Sequence, residues 1–166
     1  MATLDILCLG EPLVEFNQQP DGRYLFGFGG DVSNVAIAAA RQGARSGVVS
    51  RLGDDAFGEA LRELWAREGV DDTRVATVAG APTGIYFVIH GDTGHRFEYR
   101  RAGSAAALMS PDDLPHEAIK AAKLLHLSGI SQALSASAAD TCFAAIAIAR
   151  EAGVTVAYDT NLRLKL

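Results

Sequence analysis

At 166 residues, 49% of them hydrophobic, the chain is sized for one domain with a substantial core. Its net charge of −5, with acids and bases interspersed, excludes the basic stripe of a nucleic-acid binder. No apolar run reaches membrane-spanning length, and no basic segment precedes an apolar one at the N-terminus, so a soluble, cytoplasmic protein is expected.

Residues 4–9 are an apolar run closed by Gly10 and read as a strand buried on both faces. Residues 14–18 and 24–28 flank Gln19-Pro20-Asp21-Gly22-Arg23 and predict a hairpin. Residues 32–42 predict a helix capped by Asp31 or Gly30 and stopped at Gly43, and its alanines let it lie close to a sheet. A strand follows at 46–51. The helix at 55–68 is the clearest: Phe57, Leu61, Leu64 and Trp65 share a face, Glu63 and Arg67 pair across a turn, and Gly69 ends it.

The middle of the chain changes character. Residues 84–90 and 95–101, rich in β-branched and aromatic side chains, flank Gly91-Asp92-Thr93-Gly94 and predict a second hairpin. After Pro111 come a strand at 124–127, a helix at 137–151 with a Ser-x-x-Asp start, and a strand at 154–158. Alternating strands and helices imply a mostly parallel sheet covered by helices. The hairpins want one open face, so they are expected to form a small separate antiparallel sheet placed as a lid.

Gly29-Gly30-Asp31-Val32-Ser33-Asn34 is the most informative stretch. Two glycines let backbone approach a ligand, Asn34 offers donor and acceptor, and a helix N-terminus favours a polar or anionic group. A plain tight turn is the alternative. A dinucleotide fingerprint is rejected, because Val32 stands where the third glycine belongs. Tyr99 and Arg101, two apart on a strand, point to one side, and Tyr86 on the facing arm can join them. Such a face offers hydroxyls for a polar ligand and a guanidinium fork for a carboxylate, or it is an ordinary solvated strand face. Cys8 and Cys142 sit in apolar runs and read as buried reduced thiols. His90, His95, His116 and His126 show no metal-binding spacing, and no Gly-Lys-Ser/Thr phosphate loop occurs.

Gly29-Gly30 with Asn34 and Gly43 resembles the first signature of the ribokinase-like (PfkB) carbohydrate kinases. Arg51-Leu52-Gly53-Asp54-Asp55-Ala56-Phe57-Gly58 resembles that family's strand-to-helix turn, and Asp159-Thr160-Asn161-Leu162-Arg163 its Asp-x-Asn-x-Arg segment. Tyr86 after Thr83-Gly84, the run Tyr99-Arg100-Arg101-Ala102-Gly103-Ser104-Ala105, Ser128-Gly129-Ile130 and Arg163 before Leu-Lys-Leu are similar to the 2-keto-3-deoxygluconate kinases within it.

The resemblance implies a Rossmann-like α/β fold with helices on both faces of the sheet and a β-lid built from about residues 11–28 and 83–101. It implies transfer of the ATP γ-phosphoryl group, with Mg2+, to a hydroxyl of a small-molecule sugar acid. Gly29, Gly30, Asn34, Tyr86, Tyr99, Arg101, Ile130 and Arg163 are the implied substrate contacts, with Glu11 as a further holder of sugar hydroxyls. Asn161 and Arg163 are the implied nucleotide or phosphate contacts.

The family's general base lies in a Gly-Ala-Gly-Asp motif, which these 166 residues do not contain. The resemblance therefore implies the N-terminal portion of a kinase, its catalytic Asp and nucleotide half lying beyond Leu166. These residues alone are expected to give no turnover and no tight binding of ATP or Mg2+. Self-association through the lid or an exposed sheet edge is also implied. A kinase of a neutral sugar, of ribokinase or fructokinase type, and a non-catalytic sugar-binding module are the alternatives.

Overall fold

The computed structural model describes residues 3–92 and 94–162. Strand β1 (Ile6–Leu9) runs into the hairpin of β2 (Leu13–Gln18) and β3 (Tyr24–Gly29), followed by α1 (Asp31–Arg41), β4 (Ser46–Gly53), α2 (Ala56–Glu68) and β5 (Asp71–Val78). The second hairpin is β6 (Ile85–Gly91) with β7 (Gly94–Arg100). Two short 3-10 turns, Ala106–Leu108 and Pro111–Asp113, lead to α3 (His116–Ala121), β8 (Leu124–Ser128), α4 (Gly129–Ala133), α5 (Ala136–Glu151) and β9 (Thr155–Asp159).

The main sheet has the order β5-β4-β1-β8-β9, and every neighbouring pair is parallel. Alternate residues of β1 show why both faces need cover. Leu7 and Leu9 pack with Leu125, Leu127, Ile119, Cys142 and Ala145 on the α3/α5 side. Cys8 packs with Val48, Val32, Ala36, Leu61 and Trp65 on the α1/α2 side. Trp65 is fully buried, and its indole N–H donates to Ser33 Oγ at 2.9 Å, tying α2 to α1. Both cysteines are buried free thiols, and burial pushes each up to about 12.

The second sheet has the order β3-β2-β6-β7. Each hairpin is antiparallel, as its turn requires, and the two join through a parallel β2–β6 seam. One side of this sheet is aromatic. Phe16 stacks on Phe87 and meets Phe26 and Phe57 edge-on, which seats the lid on α2.

One local expectation needs correction, and three elements have no clear signal in the sequence. The cap of α5 is Ser135, whose Oγ accepts from Ala138 N–H at 3.0 Å; Ser137 instead donates to the Met109 carbonyl at 2.6 Å. Strand β5 is an edge strand whose polar start, Asp71-Asp72-Thr73, gives it no apolar run. The short α3 and α4 carry too few turns to show a helical period.

Asp55 joins the two sheets. Its carboxylate accepts from Gly58 N–H, capping α2, and from Thr83 N–H at the entry to β6, both at 2.8 Å. Burial pushes this carboxyl upward, but the bonds from Thr83 and Gly58 together outweigh it and hold it below the usual carboxylate range. We expect Asp55→Ala to cost about 2 kcal/mol, a lost cap plus a lost backbone acceptor, read by urea unfolding. The contribution is present above the unfolded-state pKa and is lost as pH falls through the lower folded-state value. A loss of the same size at neutral and strongly acidic pH would contradict this account.

Candidate functional site

In an open parallel sheet, ligands bind beyond the carboxyl ends of the strands, where the strand order reverses. Here β1 leaves the sheet at that edge, its exit carries Glu11, and the lid rises from Leu13. Between lid and sheet edge lies a cleft of about 920 Å³ lined by Gly30, Asn34, Tyr86, Tyr99, Arg101 and Ile130, with Asp31 and Asn161 on its floor.

Gly30 caps α1 with φ +93°, and a Cβ there would stand 2.6 Å from the Glu11 carbonyl oxygen and 2.8 Å from Pro12 Cα. The close approach is backbone to backbone, which only glycine permits. It leaves the first turn of α1 open to the cleft, where Asn34 is exposed with its N–H bonded to the Gly30 carbonyl at 3.0 Å. Gly29 does not line the cleft. It is buried behind Tyr86, and a Cβ there would stand 2.5 Å from the phenol oxygen.

The lid wall is built in register. Tyr86 and Tyr99 are direct cross-strand partners with ring centroids 5.7 Å apart and stacked, and the Arg101 guanidinium lies 5.3 Å from the Tyr99 centroid. Arg101 Nη2 pairs with Glu11 Oε2, while Ser104 Oγ donates to Glu11 Oε1 at 2.8 Å. Side-chain exposure is 11% for Arg101 and 0% for Glu11. Burial pushes the Glu11 carboxyl above its usual range, against the pull of Arg101 and Ser104. Arg101 Nε is buried with no partner.

Glu11 borders the cleft, but its covered carboxylate serves Arg101 and Ser104. The side chain turns inward because Gly84 leaves room beside it, a Cβ there lying 2.8 Å from Glu11 Oε1. Ile130 reaches the cleft on α4, whose N-cap Ser128 is the last residue of β8. Asn161 donates to Asp31 Oδ2 at 3.4 Å and holds φ +31°, a conformation Asn tolerates better than most residues. Arg163 lies outside the described residues.

His95 and Phe97 also line the cleft. Their alternation with Tyr99 along β7 places all three on one side, a signal the sequence carries. Among the described residues no three His, Cys, Asp or Glu converge on a metal position, and only Asn161 of the implied nucleotide contacts is at the cleft.

The two glycines should respond differently to substitution. We expect Gly30→Ala to cost at least about 2 kcal/mol, because positive φ and a backbone clash leave nothing able to yield. Gly29→Ala should cost less, about 1 kcal/mol, because it clashes with the Tyr86 ring rather than with backbone, though shifting that ring strains its bond to Glu15 and its stack on Tyr99. Urea unfolding of both variants checks this, and equal losses would contradict it.

The description "pfkB family carbohydrate kinase" matches residues 4–166. A 2-dehydro-3-deoxygluconokinase of Thermoproteus tenax is 38% identical over 98% of this chain and 51% of its own length. A probable fructokinase-3 of Arabidopsis thaliana is 38% identical over 95% of this chain and 48% of its own. Among solved structures, a fructokinase from Xylella fastidiosa with bound ATP superposes with a TM-score of 0.91 at 31% identity, covering 97% of this chain and 50% of that one. The 2-dehydro-3-deoxygluconokinase of Thermotoga maritima gives 0.90 at 27% identity, covering 98% and 52%. The chain spans about half the length of the relatives it matches. With its parallel sheet, its lid and its Gly-Gly-x-x-x-Asn turn at the cleft, the chain belongs to the pfkB family of carbohydrate kinases.

Proposed function

We propose that this chain forms the sugar-binding cleft and lid of an ATP-dependent kinase acting on 2-keto-3-deoxygluconate or a related sugar acid. The supporting observation is Arg101, held at the cleft wall by Glu11 and Tyr99. A guanidinium fixed in this way loses little freedom on meeting a carboxylate, and its planar fork suits a planar acid. Gly30 and Asn34 hold hydroxyls at the opposite wall. The lid excludes water, and positioning of the accepting hydroxyl is the main contribution these residues make to phosphoryl transfer.

One observation favours a second reading. The Glu11 carboxylate neutralises Arg101, so a neutral sugar meets no unbalanced charge there. A kinase of fructose type is therefore the rival.

Arg101→Lys separates the two. Lysine keeps the charge that balances buried Glu11 but loses the planar fork, whereas removing the charge altogether would strand Glu11 at a cost of about 3–5 kcal/mol. We expect calorimetry on this chain to show about tenfold weaker binding of 2-keto-3-deoxygluconate and unchanged binding of fructose. Equal losses would favour the neutral-sugar reading.

We also propose that copies of the chain associate through the lid, whose Tyr24, Leu25 and Phe26 are 43%, 63% and 43% exposed. Sedimentation at micromolar concentration should show dimers that Phe26→Ser disperses. A monomeric parent chain would end this proposal.

A further inference from the structure

A row of polar side chains runs along the lid on the same side as Tyr86, and the cleft wall described above does not account for it. The Tyr86 hydroxyl donates to Glu15 Oε2, its partner across the β2–β6 seam. Glu15 Oε1 accepts from Asn17 Nδ2 at 3.3 Å, and Asn17 Oδ1 meets His90 Nε2 at 3.0 Å. Opposite Glu15 in register is Gly27, where a Cβ would stand 3.7 Å from Oε1, so the carboxylate lies flat along the sheet. Both oxygens of Glu15 are engaged by neighbours of fixed polarity.

A phenol carries one proton, and an ionised carboxylate only accepts. With that proton directed to Glu15, the Tyr86 oxygen offers only lone pairs to the cleft. A hydroxyl can donate to it. A carboxylate placed there finds a second acceptor, with the Glu15 charge directly behind. Arg101, against the Tyr99 ring, is where an acid finds donors.

We propose that Glu15 is a positioning residue that sets specificity: by taking the only proton of Tyr86, it makes that hydroxyl an acceptor, so a sugar hydroxyl sits at Tyr86 and the acid group is turned toward Arg101. This rests on the sugar-acid reading for the identity of the ligand, but not for the state of Tyr86. Burial, and then the bond to Glu15, push the Tyr86 hydroxyl well above the usual tyrosine range, consistent with a phenol whose proton is held. Tyr99 and Arg101 are the other ionisable groups packed against its ring and its ring partner.

Glu15→Gln tests the arrangement while keeping its shape. Asn17 still donates to the amide oxygen, so the amide nitrogen faces Tyr86 and the phenol proton turns to the cleft. Tyr86→Phe removes the hydroxyl and keeps the stack on Tyr99. By calorimetry on this chain, each variant should bind 2-keto-3-deoxygluconate about five- to tenfold more weakly. The double variant should be no weaker than Tyr86→Phe, because Glu15 acts only through Tyr86. Additive losses would overturn the proposal, since Glu15 would then touch the ligand itself.

The tyrosinate absorbance of the unliganded chain gives a readout that needs no sugar. Glu15→Gln should lower the pH at which Tyr86 ionises, the Tyr86 contribution being assigned by its absence in Tyr86→Phe. An unchanged titration would overturn the proposal. Fructose distinguishes the two levels of inference. If fructose alone binds and follows the same non-additive pattern, the Glu15 arrangement stands and the sugar-acid reading falls. If neither sugar binds, that reading falls, and the titration still decides the state of Tyr86.

Discussion

The ion pair between Glu11 and Arg101 is the contact on which the cleft depends. Glu11 belongs to the exit of β1 in the body, and Arg101 to the end of β7 in the lid. Two charges in a covered position are costly unless paired and hydrogen-bonded, and Ser104 completes the set. The pair therefore fixes the height of the lid above the sheet edge. It also fixes the guanidinium plane, and through the Tyr99 ring it reaches Tyr86. A polar contact of this kind adds less to stability than to uniqueness: it favours one arrangement of lid and body over others of similar apolar burial.

Around that pair the work is divided between body and lid. The parallel sheet needs apolar cover on both faces, which leaves its carboxyl edge as the place where polar groups can collect. Gly30 lets the start of α1 press against the exit of β1, so the helix terminus and the Glu11 backbone form one continuous floor. The lid supplies aromatic area on both of its sides. One side packs on Phe57 of α2, and the other forms the wall of Tyr86, Tyr99 and Phe97. A sheet of four strands is thereby anchored on one side and left free to meet a ligand on the other.

Much of this was legible in the sequence because the signals were local. Period-two alternation and glycine-bearing turns marked both hairpins, and the apolar face of α2 marked its helix. The Gly29-Gly30 turn was legible as a close approach, but not the different tasks of the two glycines. That difference depends on what each α-hydrogen faces: the backbone of residues 11–13 for Gly30, and the Tyr86 ring for Gly29. The shared side of Tyr99 and Arg101 followed from spacing, whereas the partner of Arg101 did not, since Glu11 is remote in the chain. The parallel seam was equally hidden, because it joins strands with the whole β4-α2-β5 segment between them.

That seam bears on the order in which the molecule assembles. Tyr86 and Glu15 are 71 positions apart, so the first hairpin has no partner until the chain has laid down half the parallel sheet and returned. Closing so long a loop costs entropy that only the body, already folded, can offset by holding the ends near each other. On loop-closure grounds the body thus acts as a template on which the lid completes its pairing. For the proposed ligand site beneath the lid, the element that closes the longest loop is also the one that covers the cleft.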